Sequence, residues 1–168
     1  RGAVNIGSTG SIIAQSVNSK PGKIVIGSPS ANSVRIAGNI DVSAPKRSIS
    51  PSRTVIVQGR RVTHAGNIYA NGSSGGKIKV LSTENLKLDG SLFAKGNKNK
   101  GGSVIVMSEN SIQTSAKTVI DVSGQLKGGT AQLLAKVKNK VSGDIFADSS
   151  AGKGGNIDIT AEKTEIEK

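Results

Sequence analysis

Short bursts of alternating apolar and polar residues recur along almost the whole chain. They read "KIVI" from Lys23, "TVIV" from Thr54, "KIKV" from Lys77, "SVIV" from Ser103, "TAQL" from Thr130 and "NIDI" from Asn156. A period of two predicts a strand with one buried face, and none of the bursts has a helical period. A second phrase recurs between them: "GSIIA" at Gly10, "GNIDV" at Gly38, "GNIYA" at Gly66, "GSLFA" at Gly90, "TVIDV" at Thr118 and "GDIFA" at Gly143. A third strand lies between these two phrases, as "VRI" at Val34, "LKL" at Leu86 and "SIQT" at Ser111. "GAVNI" at Gly2 reads as a truncated copy of the first phrase.

The punctuation is as regular as the strands. Glycine pairs begin at Gly75, Gly101, Gly128 and Gly154, so their spacings are 26, 27 and 26 residues. A unit of that size cannot bury its own apolar face, but stacked copies can, each strand pairing with its counterpart in the next unit. The expected fold is all-β: a three-sided parallel β-helix, or β-solenoid, of about six coils and some ~29 Å long at the usual inter-strand spacing. Residues 1–168 form one such domain, and both ends read as cut from a longer repetitive chain. The glycine pair marks a corner, where a positive φ is expected. The step from Lys23 to Thr54 is the least regular, with Pro45 and Pro51 in a protruding loop.

Inward rows follow from the alternation. The first strand supplies Ile24 and Ile26, Val55 and Val57, Ile78 and Val80, Val104 and Val106, Ala131 and Leu133, Ile157 and Ile159. The second supplies Val34, Ile36, Leu86, Leu88 and Val141, with His64 in the row of Ile36 and Leu88 and Asn139 beside Val137 and Val141. The third supplies Ile40, Ile68, Leu92, Ile120 and Ile145, then Val42, Ala70, Ala94, Val122 and Ala147. His64 is expected to be a neutral core histidine with one hydrogen bond, and Asn139 to be satisfied by neighbouring backbone.

Composition agrees. Aromatic residues make up 2% of the chain and hydrophobic residues 35%, so the core must be aliphatic. Each fully buried Val, Ile or Leu contributes roughly 1.5–3 kcal/mol before entropy, and six coils supply enough of them. Cysteine is absent, which excludes disulfides and thiolate metal sites. No run approaches the ~18 apolar residues of a membrane-spanning helix, and "RGAVNIGSTG" lacks the apolar core of a signal peptide. Membrane insertion is not expected.

The order "GGxIxV", then "GxIxA", then "GG" again resembles the repeat regions of filamentous haemagglutinin-like exoproteins, the large adhesins and toxins that Gram-negative bacteria secrete by the two-partner route. The resemblance covers nearly the whole chain. That family's secretion domain carries Asn-Pro motifs, and this chain contains no Asn-Pro, so the resemblance places it in the shaft. It implies a right-handed helix, an extracellular or cell-surface location, and a role as an adhesive segment or spacer. The implied partner is a host or bacterial surface glycan or a protein receptor.

The candidate chemistry is sparse. Parallel β-helical enzymes cluster their carboxylates, whereas the outward row of the third strand reads Ile13, Asp41, Tyr69, Phe93, Asp121, Phe146. Asp41 and Asp121 are then three coils apart, roughly 14 Å. Neither catalysis nor a cofactor or metal is expected. Tyr69, Phe93 and Phe146 form an exposed aromatic row, which either steadies the sheet or offers a platform to a sugar or a protein. The formal net charge is +12, and many basic residues precede the first strand: Lys20, Lys46, Arg47, Arg53, Lys98, Lys100, Lys127 and Lys153. Stacked coils would align them as a ridge. It either keeps the protein soluble or binds polyanions such as sulfated glycans or surface phosphate. No nucleic-acid motif accompanies it, so specific nucleic-acid binding is not expected. Exposed strands at the two ends suggest end-to-end self-association as a third reading.

Overall fold

The computed structural model describes residues 2–15, 22–44 and 53–167. Among the described residues there are nineteen β-strands and no helix, arranged as a parallel β-solenoid of about six coils. Sheet one holds the strands that follow the corner glycines: Lys23–Gly27, Thr54–Gly59, Lys77–Ser82, Ser103–Ser108, Thr130–Ala135 and Asn156–Thr160. Sheet two has seven strands, beginning with Ala3–Ile6 and Ser33–Ile36 and ending with Lys163–Ile166. Sheet three has six strands of three residues each, from Ser11–Ile13 to Asp144–Phe146. Every strand pairs in parallel with its counterpart one coil away.

The Ala3–Ile6 strand corrects one expectation. It pairs with Ser33–Ile36, Val4 against Val34 and Ile6 against Ile36, so it is the opening strand of sheet two and not a copy of the "KIVI" phrase. Four-residue alternation is common to both sheets, and only the pairing partner tells them apart.

Coil length is uneven where expected. Lys23 pairs with Thr54, a step of 31 residues, and Thr54 with Lys77, a step of 23; later steps are 26, 27 and 26. Pro45 and Pro51 lie outside the described residues.

The interior is a stack of aliphatic rows. Val55, Val57, Ile78, Val80, Val104, Val106, Ala131 and Leu133 of sheet one are wholly buried, and the sheet-two and sheet-three rows close on them. Val42, Ala70, Ala94, Val122 and Ala147 form the small-residue row that was expected where sheet three leads to the corner. In the last coil Ile157 is 44% exposed, and Ile145 and Ile159 are half-buried, because they have a neighbouring coil on one side only. Val137 is also exposed: it sits on the corner before the strand Lys138–Val141, so the alternation does not extend back to it. Between sheets one and two the corner position reads Gly59, Ser82, Ser108 and Ala135 in successive coils, and the two serines bond across coils. The Ser82 hydroxyl donates to the Arg60 carbonyl at 2.7 Å, and the Ser108 hydroxyl bonds to the Glu84 carbonyl one coil below.

The corner glycine pairs have a different reason from the one expected. The only positive-φ glycines among the described residues are Gly27 (76°) and Gly143 (86°), neither in a pair. Except at Gly154, which no further coil covers, the paired positions are glycine because successive backbones touch. A Cβ on Gly101 would lie 1.7 Å from the Val122 carbonyl oxygen, and one on Gly75 2.0 Å from that of Ala94. No side chain fits there.

Candidate functional site

Three stacked loops lead from sheet three into the corner, and they carry the lysines. Lys100 bridges Lys127, and Lys127 bridges Lys153, through single parallel backbone pairings. At the inter-coil spacing the three lie within ~10 Å along the axis. Lys98 is two residues earlier on the first loop, and all four side chains are exposed. Beside them runs a shallow groove of about 320 Å³, floored by the pairs Gly101–Gly102 and Gly128–Gly129 and lined by Lys77, Lys100 and Lys127. Lys77 was not among the sequence candidates. Its position two residues after Gly75 was the available signal, because the first outward residue of each sheet-one strand faces the corner.

The electrostatic setting of these lysines differs from that of most other cations. Lys95 pairs with Asp121 at 2.7 Å, Lys87 with Asp89 at 2.9 Å, Lys138 with Glu165 at 2.8 Å and Lys140 with Glu167 at 2.9 Å. Arg60 pairs with Glu84, and Lys136 with Glu109. Among the described residues, Lys98, Lys100, Lys127 and Lys153 have no carboxylate partner. Like charges at this separation are within a Debye length at physiological salt and repel one another until an anion binds.

Arg53 does not belong to this ridge. It is 3% exposed and occupies the position that Gly22 and Gly76 hold in the coils on either side. Burial lowers its pKa, and the nearby charge of Asp41 partly opposes that. An arginine at a glycine position has to fold its side chain into the corner instead of projecting from it. Lys20, Lys46 and Arg47 lie outside the described residues.

The aromatic row has the predicted register: Ile13, Asp41, Tyr69, Phe93, Asp121 and Phe146 follow one another on sheet three. Tyr69 and Phe93 stack with ring centroids 5.2 Å apart and planes within 7°. Each ring thereby gives one face to the other, the geometry of a cross-strand ladder. Asp121 separates this pair from Phe146, which is 40% exposed. Burial raises the Asp121 carboxyl, but hydrogen bonds from Lys95 and from the Ser123 backbone outweigh it and hold the pKa below the usual value.

Two polar side chains sit inside the core. His64 is wholly buried between Ile36 and Leu88 of the adjacent coils. Neither ring nitrogen makes a hydrogen bond of ordinary geometry, which departs from the single bond expected. Desolvation lowers its pKa from 6.5 to about 4, and the neighbouring backbone of Ser91 and Gly66 offsets only part of that. The ring is therefore neutral at physiological pH. Asn139 meets its expectation on the donor side only: its amide N–H groups donate to the Leu133 and Thr160 carbonyls at 2.9 and 2.8 Å, whereas its buried Oδ1 has no hydrogen-bond partner.

No three His, Cys, Asp or Glu side chains among the described residues converge into a metal-binding group. Comparison with protein-family profiles, with curated proteins and with solved structures finds no match to this chain.

Proposed function

We propose that the chain is a non-catalytic shaft segment of a secreted or cell-surface exoprotein of the filamentous haemagglutinin type. The observation that supports this reading is the unbroken register of three parallel ladders around one apolar core. Such a stack transmits length without a hinge, because each coil is fixed to its neighbours on three sides by backbone hydrogen bonds. The test is immunogold labelling of intact producing cells with antibodies raised against the folded solenoid, before and after external protease. Surface label that protease removes supports the shaft reading, and label that appears only after cell lysis refutes it.

A second reading rests on the four unpaired lysines. The ridge of Lys98, Lys100, Lys127 and Lys153, with the groove beside it, binds an anionic polymer by neutralising several charges at once. This reading is compatible with the shaft, since an adhesive spacer needs both length and a contact surface.

A further inference from the structure

The outward faces of the sheets differ in kind. The two outward rows of sheet two, from Ser33 to Glu165, hold no apolar residue. Sheet one instead points Val25, Ile56, Leu81, Ile105, Met107 and Leu134 away from the core, which its inward rows already fill. Leu81, Met107 and Leu134 stand opposite one another in successive coils, with Ile105 beside Met107 on the same strand. Val25 pairs with Ile56 in the two coils before them. Val25 is 49% and Met107 38% exposed. An apolar sheet face beside a wholly polar one marks a contact surface.

The charges on this face say what covers it. Lys79 and Asp158 flank the apolar patch along one outward row, three coils apart, with Ile105 and Gln132 between them. Among the described residues neither makes an ion pair. The Asp158 carboxylate accepts from uncharged groups, the Thr160 hydroxyl at 2.6 Å and the Gln132 amide at 3.4 Å. Consider a second copy turned end for end about a twofold axis that runs along the strand Ser103–Ser108. Met107 then faces Met107, Ile105 faces Ile105, and Leu81 of each copy faces Leu134 of the other. Leu134 arrives at the mouth of an apolar groove of about 210 Å³ that Leu81 and Met107 share with Pro29 and Gly59. Lys79 lies one coil, ~4.8 Å, from the level of Asp158 in the other copy, within reach of its flexible stem. A twofold axis along the solenoid would instead set Lys79 on Lys79 and Asp158 on Asp158. Charge therefore selects the antiparallel pair.

We propose that sheet one is a self-complementary contact face on which a second copy of this chain packs antiparallel, forming a closed dimer. This goes beyond the shaft reading and stands without it. Six-residue strands span ~20 Å and five coils overlap over ~24 Å, so the pair covers about 1,000 Å² in total. That is the lower limit for a specific interface, and the net charge of +12 on each copy opposes it, so the dimer is weak, with Kd about 10–300 µM.

The test is sedimentation equilibrium of the purified chain at physiological salt, from about 5 to 500 µM, where association should stop at two copies. Met107→Lys sets two like charges together at the axis and should weaken the dimer at least about tenfold. Gln113→Lys makes the same charge change on the outward face of sheet two and should leave it unchanged. Lys79→Asp and Asp158→Lys should each weaken it at least about fivefold, and the double exchange should restore the parent Kd. Lys79→Asp also lowers the net charge, so it would strengthen association if overall repulsion alone governed it. Circular dichroism confirms that each variant keeps its strands. The inference is overturned if the chain stays monomeric up to 500 µM, if Met107→Lys dimerises like the parent, or if the folded double exchange fails to recover. It is equally overturned if association continues past two copies, which would assign it to the ends of the solenoid.

Discussion

His64 sets a pH dependence that can be worked out from its surroundings. The unfolded chain takes up the imidazole proton near 6.5, whereas the folded protein takes it up only near 4, because burial between Ile36 and Leu88 penalises the charged ring. Between these values the unfolded state binds more protons than the folded state, so stability falls as pH falls. The stability associated with the neutral ring is complete above about 6.5 and is lost progressively down to about 4. A fall in pKa from 6.5 to about 4 corresponds to about 3 kcal/mol. The row also fixes the natural replacement, since Ile36 and Leu88 flank the position: His64→Leu continues the apolar row and removes a buried imidazole whose nitrogens make no hydrogen bond of ordinary geometry. At pH 7.5 this variant should be more stable than the parent, by ~1–3 kcal/mol. At pH 4 its advantage should grow by about a further 3 kcal/mol. Urea denaturation of both proteins at pH 7.5, 5.5 and 4 measures the difference, and carboxylate titrations common to the two cancel in the comparison. An advantage of His64→Leu that does not change with pH would refute the reasoning.

Three further outcomes follow from other positions. Gly101→Ala should cost more than ~3 kcal/mol in chemical denaturation because its Cβ meets backbone atoms, whereas Gly154→Ala, whose Cβ meets nothing nearer than 3.9 Å, should be nearly neutral. Asn139→Ala removes the donors to the Leu133 and Thr160 carbonyls but also a buried Oδ1 without a partner, so it should lower stability by ~1–3 kcal/mol in all, read from the same urea curves. Replacing Lys98, Lys100, Lys127 and Lys153 with Gln should abolish retention on heparin at physiological salt. Replacing Arg35, Arg61, Lys87 and Lys117 removes the same charge from other faces and should reduce retention only slightly; equal losses would show that net charge alone matters.

Much of the architecture was legible in the sequence because a solenoid repeats one decision. Once Ile24, Val55, Ile78, Val104 and Ala131 are aligned, the register of every coil in sheet one follows, and the structure has that register. The aromatic and lysine rows were read in the same way. What escaped depends on contacts between chains of residues that alternation does not encode. The Ala3–Ile6 strand carries the same pattern in either sheet, and its partner alone decides. Arg53 looks like any corner cation in sequence, but it stands at a glycine position and is forced inward. Corner glycines suggested a left-handed backbone, while the actual constraint is a carbonyl of the next coil lying where a Cβ would be. The row of Asn97, Gln125 and Ser150 went unread because loops of unequal length hide their register until the Gly96, Gly124 and Ser149 pairings are known.

The stacking of coils in constant register underlies both the shaft and the binding rows, and electron–electron spin resonance distances test it most directly. The chain has no cysteine, so label sites can be introduced freely. Arg35, Thr63, Lys87, Gln113, Lys140 and Glu165 occupy one outward row of sheet two in successive coils. Nitroxides at position 35 paired with 113, 140 or 165 should give distances that increase linearly by ~4.8 Å per coil, with narrow distributions. Distances that fail to grow by a constant step, or that scatter broadly from one pair to the next, would contradict a solenoid of stacked coils.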